Sequence, residues 1–347
     1  MGDIIRVLVV DDSAYVRKVV KQILSRSPFI EVVGTAKDGE EALEMVEALN
    51  PDVVTLDLIM PNLDGVEFLK KQMAKKPIPV IILSIASDTS ELALKALDAG
   101  AIDFVQKPTA LATERIYEIA EEIVEKVRVA SKVPMKQIIP YVEKKEIPHP
   151  VILETKSKRV DIVVIGISTG GPQALKFLIP QLPKDFPVPI AIVIHMPVGY
   201  TEAFANKLNE ISSITVKEAK EGDVVEEGTA LIAPAGRHMT FYRRADNVVV
   251  THLDLRPFDT LHKPSVDVMF RSASEVFKNR VLGIVMTGMG SDGKEGAAWI
   301  KAQGGIILTE AEESCIVYGM PRSVVEAGLS DESYSLEKMI EGILKNI

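Results

Sequence analysis

The chain has 347 residues, enough for two domains with separate cores, and its 47% hydrophobic and 26% charged composition describes a folded globular protein, not a disordered one. A formal net charge of -9 disfavours nucleic acid as the main partner, because phosphate binding depends on Lys and Arg. The single Cys315 excludes an internal disulfide and fits a reducing compartment; with no cationic-then-apolar leader and no apolar run of spanning length, the expectation is a cytoplasmic protein without direct membrane insertion.

In chain order, apolar runs predict strands at Arg6–Val10, Glu31–Ala36, Val53–Asp57, Val80–Ser84 and Asp103–Val105. Segments such as Ser13–Ser25 and Gly39–Leu49 place apolar residues three and four apart, the helical spacing, and Ile116, Ile119, Ile123, Val124 and Val127 mark a closing amphipathic helix. This alternation predicts a doubly wound (βα)5 domain over 1–131. From 132 to 157 the chain is rich in Lys and Glu and broken by Pro134, Pro140, Pro148 and Pro150, which reads as a linker; His149 lies inside it and is not expected to do chemistry. Over 158–347 strands are predicted at Val160–Ile167, Pro189–His195 and Val281–Thr287, with helices from Gln173 and Thr201. Gly222–Pro234 and Asn247–His252 read as extra strands of antiparallel sense. The second domain is therefore expected to be mostly parallel α/β.

Polar groups stand at the ends of the first five strands: Asp11 and Asp12, Asp57, Ser84 and Lys107. In an open parallel sheet these ends share one crevice. Three crowded carboxylates disfavour ionisation unless a cation compensates, and a hard, oxygen-seeking ion such as Mg²⁺ would do so and also hold a phosphoryl group. Ser84 offers a hydroxyl and Lys107 a mobile positive charge. Asp12-Ser13 alone would be only a helix cap. The set, with DLIMPNLDG around Asp57 and Lys107-Pro108, resembles a two-component receiver domain. That resemblance implies Asp57 as the acceptor of a phosphoryl group from a histidine kinase. It further implies Asp11, Asp12, Asp57 and the Ile59 backbone carbonyl around Mg²⁺, Ser84 and Lys107 on the transferred oxygens, and Phe104 as a switch aromatic.

The second domain opens on IGISTGGP, residues 165–172. A dinucleotide-binding turn would carry glycine where Ser168 stands, and the next strand would end in an acid where His195 stands. Gly166-x-Ser168-x-Gly170 is instead the spacing that lifts a serine onto a sharp strand-to-helix turn. A serine nucleophile needs a base and the base an orienter; His195 and Asp292, in GMGSDG, supply these types after apolar runs. Spacing alone leaves open that Ser168 caps a helix or that the turn holds an anion, that His238, His252 or His262 is the base, and that Asp267 replaces Asp292. Cys315 reads as a small packed residue.

The motifs IGISTGGP, HMP at 195–197, HKPSVDVMF at 262–270, MTGMGSDG at 286–293 and GMPRSV at 319–324 resemble the catalytic domain of the chemotaxis receptor methylesterases, the CheB family. The resemblance implies Ser168 as nucleophile, His195 as general base and acid and Asp292 as orienter. The reaction it implies is hydrolysis of glutamyl methyl esters on methyl-accepting chemoreceptors, with no cofactor for that step. Thr169 and Met289 are candidate oxyanion donors through their backbone N–H groups. Deamidation of receptor glutamine by the same triad, and a non-catalytic output that binds a partner when phosphorylated, stand as alternatives.

Overall fold

The protein is described from a computed structural model over residues 4–84, 90–107, 116–135 and 160–347, and the chain divides into two compact units, 1–143 and 144–347. The predicted linker beyond residue 135, with His149, lies outside the described residues.

In the N-terminal unit β1 (Ile5–Val10), β2 (Ile30–Ala36), β3 (Val53–Asp57), β4 (Val80–Ser84) and β5 (Asp103–Gln106) pair in parallel in the order β2-β1-β3-β4-β5. β3 and β4 are buried at every position, as strands with both faces covered must be. The cover comes from α1 (Ala14–Leu24), α2 (Gly39–Leu49), α3 (Gly65–Lys75), α4 (Ser90–Asp98) and α5 (Ile116–Ala130). Three of these helices start where a side-chain oxygen takes a first-turn N–H: Ser13 from Val16, Asp38 from Glu41 and Asp64 from Glu67. Strand order reverses between β1 and β3, which opens a crevice at their carboxyl ends.

The C-terminal unit holds β6 (Ile162–Ile167), α6 (Gly171–Leu178), β7 (Ile190–Ile194), α7 (Thr201–Glu210), β8 (Thr215–Glu218), β9 (Thr229–Ile232), β10 (His238–Arg243) and β11 (Val249–Asp254). Then follow α8 (Val266–Phe277), β12 (Val281–Val285), α9 (Lys294–Ala302), β13 (Ile306–Glu310), α10 (Met320–Glu326), β14 (Glu332–Tyr334) and α11 (Met339–Asn346). Seven strands form a parallel sheet ordered β14-β13-β12-β6-β7-β9-β8, while β10 and β11 form a separate antiparallel pair. The mostly parallel α/β architecture is thus as expected. One expectation needs correction: the strand within Gly222–Pro234 is β9, and it runs parallel to β7 and β8 because the chain returns to the large sheet, not to the hairpin.

The core of this unit packs Val164, Val193 and Val285 against Met269, Phe270 and Ala273 of α8. Full burial of each large apolar side chain stabilises by about 1.5–3 kcal/mol. α8 approaches β6 so closely that a Cβ on Gly166 would lie 2.2 Å from Val266 Cγ1. That approach brings the start of α8 to the end of β6. In this sheet the order reverses between β12 and β6, again leaving a crevice at the carboxyl ends.

Candidate active site

Ser168 follows β6, His195 follows β7, and Asp292 lies in the turn between β12 and α9. Because β6 sits between β7 and β12, the three residues come from neighbouring strands at the switch point. Backbone bonds hold the loops together: His195 N–H donates to Ile167 O at 3.2 Å and Ser168 N–H to Thr287 O at 2.9 Å. A Cβ on Gly288 would fall 2.4 Å from Met320 Sδ and 2.8 Å from Ser168 Cβ, so glycine is what lets the β12 loop pass this close.

The N-cap of α6 is Gly170, in the left-handed region at φ 80°, with no side-chain cap bond. Ser168 is therefore not spent as a helix cap. His195 Nε2 lies 2.8 Å from Asp292 Oδ2, and both side chains are about one-tenth exposed (10% and 11%). The other ring nitrogen, Nδ1, is buried and has no hydrogen-bond partner among the described residues. With Asp292 accepting from Nε2–H, the lone pair sits on Nδ1. The ring of His262 stacks on His195 with centroids 4.0 Å apart and planes 24° off parallel.

Asp292 accepts four bonds: Oδ2 from His195 and from Val266 N–H, both at 2.8 Å, and Oδ1 from Ser265 Oγ at 2.9 Å and Asp267 N–H at 3.0 Å. Burial would raise its pKa, but the His195 bond and charge and the α8 N–H groups outweigh that and hold the carboxyl well below the usual range. Asp267 returns the arrangement, its Oδ1 accepting Gly293 N–H at 2.9 Å and Gly296 N–H at 2.7 Å at the start of α9. Burial pushes Asp267 up to about 7 against those bonds, with the Asp292 charge adding to the rise. The same surroundings thus move the two carboxyls in opposite directions, Asp292 down and Asp267 up.

In the N-terminal unit, ligand oxygens of Asp11, Asp12 and Asp57 all lie within 4.8 Å of one another. Lys107 Nζ sits 2.9 Å from Asp11 Oδ2 and 2.7 Å from Asp57 Oδ2. Burial raises the Asp11 pKa despite Lys107; Lys107 itself stays raised, because the Asp57 and Asp11 carboxylates outweigh its own desolvation. A compact set of hard oxygen donors carrying more negative charge than Lys107 offsets fits a divalent cation such as Mg²⁺. Ser84 and Lys107 are joined by a bond from Lys107 N–H to Ser84 O at 2.8 Å, Ile59 N–H donates to Asp57 Oδ1 at 3.3 Å, and Phe104 is buried in β5.

Comparison with known proteins matches residues 163–343 to the CheB methylesterase family and residues 7–120 to the response regulator receiver domain. A Myxococcus xanthus protein named protein-glutamate methylesterase/protein-glutamine glutaminase 5 is 47% identical over 99% of this chain and 98% of its own. A Pyrococcus horikoshii protein of the same enzyme name is 42% identical over 100% of this chain and 95% of its own. The crystal structure of the Thermotoga maritima CheB methylesterase catalytic domain is 40% identical and covers 54% of this chain and 99% of that one, with a TM-score of 0.53. The chain belongs to the CheB methylesterase family.

Within this CheB-family chain His238 and His252 have other occupations, whereas His262 stands at the site against the His195 ring. His238 is fully buried; its Nδ1 accepts Ser265 N–H at 3.2 Å, so Nε2 carries the hydrogen and points it at Pro257 O, 3.1 Å away. Burial lowers its pKa, the Pro257 bond opposing, and keeps it neutral. His252 lies on β11, its Nδ1 3.0 Å from Glu221 Oε1. Asp267 is the partner of Asp292, not its substitute. Cys315 is buried, with its thiol pKa pushed far up by desolvation, which makes it inert as a nucleophile.

Sequence reading missed Ser265, which caps α8 through Val268 N–H while donating to Asp292. A serine immediately before VDVMF, at the N-cap position of a helical run, was the available signal. Thr287 and Glu310 were also missed. The Met289 N–H, two residues past Thr287, finds no acceptor among the described residues, and Thr169 is buried beside Ser168.

Proposed function

We propose that this CheB-family chain is a phosphorylation-controlled serine esterase that hydrolyses glutamyl methyl esters on methyl-accepting chemoreceptors and releases methanol. The observation that carries the reading is the His195 imidazole at the strand end next to Ser168, tied to the Asp292 carboxylate through Nε2 and with its Nδ1 unbonded among the described residues. In this reading Ser168 Oγ attacks the ester carbonyl while Nδ1 of His195 takes the hydroxyl proton. The C–OCH3 bond breaks as His195 hands that proton to the departing oxygen. Water then repeats the sequence on the acyl-serine, and glutamate leaves. Thr169 and Met289 N–H groups take the oxyanion, where one donor is worth about 3 kcal/mol. Asp292 steadies the imidazolium and fixes the tautomer.

Asp57 is the phosphoryl acceptor in this reading, supplied by a chemotaxis histidine kinase, with Ser84 and Lys107 on the transferred oxygens and Phe104 as the switch aromatic. Mg²⁺ held by Asp11, Asp12, Asp57 and the Ile59 carbonyl would supply charge neutralisation for phosphoryl transfer when bound. The stretch 132–157 joins the two functions, and the working compartment is the cytoplasm. Among the described residues no helix is long and apolar enough to cross a membrane. Both curated relatives above are named for glutaminase as well as esterase activity, which supports the same triad acting on a primary amide with ammonia leaving. The test is Ser168→Ala: methanol release from methylated receptor is lost while Asp57 still takes phosphate from a small donor. Residual turnover above about a thousandth of wild type would count against Ser168. Methanol release that ignores the phosphodonor would remove the control.

A further inference from the structure

Glu310 ends β13 and is 1% exposed, yet the mechanism above does not use it. The ladder between β12 and β13 runs from Leu282↔Ile306 to Val285↔Thr309 and stops there. Beyond it the strand pairing ends, and the Glu310 side chain takes over as the acceptor for the Thr287 N–H. Its Oε2 accepts Thr287 N–H at 2.9 Å, and its Oε1 accepts Ser314 Oγ at 3.0 Å. Ser314 Oγ is itself fixed by accepting Leu336 N–H at 2.9 Å.

Thr287 is the piece that Glu310 holds, and Thr287 grips the turn around Ser168 at two points. Its carbonyl accepts Ser168 N–H at 2.9 Å. Its hydroxyl donates to Thr169 O at 2.9 Å and accepts Val317 N–H at 3.0 Å. The next residues, Gly288 and Met289, carry the close-approach glycine and a candidate oxyanion donor. Thus Glu310, Thr287 and Ser168 form a line across the carboxyl ends of β13, β12 and β6.

We infer that Glu310 is a positioning residue for ester hydrolysis: by holding Thr287 it sets where the Ser168 hydroxyl and the oxyanion donors stand relative to the ester. The inference rests on Ser168 being the nucleophile. A role in packing alone is a poor account, because a buried carboxyl is a costly way to fill space. Burial pushes Glu310 up to about 7, and Glu337 adds to the rise. Either protonation state keeps the same partners, since a protonated Oε1 donates to Ser314 Oγ, which also reaches Ala311 O at 3.2 Å. Glutamine reproduces the neutral form: its oxygen takes Thr287 N–H and its amide donates to Ser314.

The experiment uses the full chain with a small phosphodonor, methylated receptor as substrate, and rates expressed per serine titrated to completion with a fluorophosphonate. Glu310→Leu is expected to lower kcat about 30-fold with KM within about threefold, because displacing reacting groups by about 1 Å costs about 10²-fold. Glu310→Gln is expected to return kcat to within about threefold of wild type. A folded Glu310→Leu variant with wild-type kcat overturns the inference, as does a Glu310→Gln variant as slow as Glu310→Leu. Should Glu310→Leu fail to fold, Glu310→Met decides: it removes both carboxyl oxygens at nearly constant volume, and unchanged kcat overturns the inference. Ser168→Ala run alongside separates the two readings. If it stays active, the nucleophile assignment fails; if it is dead while Glu310→Leu is fast, only the role of Glu310 fails.

Discussion

Replacing Asp292 by Asn changes one atom and should cost the enzyme most of its rate. The carboxylate accepts His195 Nε2 and Val266 N–H on one oxygen, Ser265 Oγ and Asp267 N–H on the other. An amide has one acceptor oxygen and one donor nitrogen, so in either orientation one backbone N–H of α8 faces an NH2 group. That mismatch costs about 1–3 kcal/mol of stability. Catalysis loses more. With the amide oxygen toward the ring, His195 keeps its tautomer but loses the anion that stabilises the imidazolium, an attraction of about 4 kcal/mol at contact distance and an effective dielectric constant of about 20. With the amide nitrogen toward the ring, the imidazole hydrogen moves to Nδ1, leaving no lone pair for the serine proton, and the loss approaches about 10⁴. The expected fall in kcat is about 10² to 10⁴-fold, read as methanol release by the purified full chain with a thermal melt to verify folding. A folded Asp292→Asn variant within about tenfold of wild type would refute the assignment of Asp292 as orienter.

Other outcomes follow from the same geometry. Gly288→Ala should fold but lose kcat by about 10²-fold, since its methyl must displace Met320 Sδ or Ser168, 2.4 and 2.8 Å away; unchanged kinetics would show that the loop gives way freely. Lys107→Met should slow phosphorylation of Asp57 by acetyl phosphate about 10²-fold while calorimetry still detects Mg²⁺ binding, because the carboxylates remain and only the cation for the phosphoryl oxygens is gone. Glu310→Gln should flatten the pH dependence of stability. The folded protein raises Glu310 from 4.5 to about 7, so its contribution is fully present below about 4.5 and is lost as pH climbs through about 7. The difference amounts to at most about 3 kcal/mol. Urea midpoints of wild type and variant that run parallel from about pH 5 to 8 would contradict this.

Much of this architecture is legible in the chain because buried parallel strands write themselves as unbroken apolar runs. Val53–Asp57 and Val80–Ser84 were bounded as the structure has them, and the residues that end such runs, Asp57, Ser84 and Ser168, are placed at the crevices. Short edge strands leave no such signal: β8 and β14 have four and three residues and little burial. Glu310 was hidden for a different reason, since it stands two residues before Glu312 and Glu313, which are exposed. Nothing in composition separates one glutamate that turns inward from neighbours that face water. The pairing of Asp267 with Asp292 was equally invisible, because it depends on two successive helices, separated by β12, starting side by side.

That pairing has a further consequence. Each aspartate fastens the first turn of the other's helix, so α8 and α9 are stitched together through the carboxylate that also bonds the His195 imidazole. Folding and turnover therefore constrain the same side chain. A glutamate at 292 would carry the same charge on a stem one methylene too long, forcing a choice between reaching the helix and reaching the ring, and neither task tolerates the other's slack.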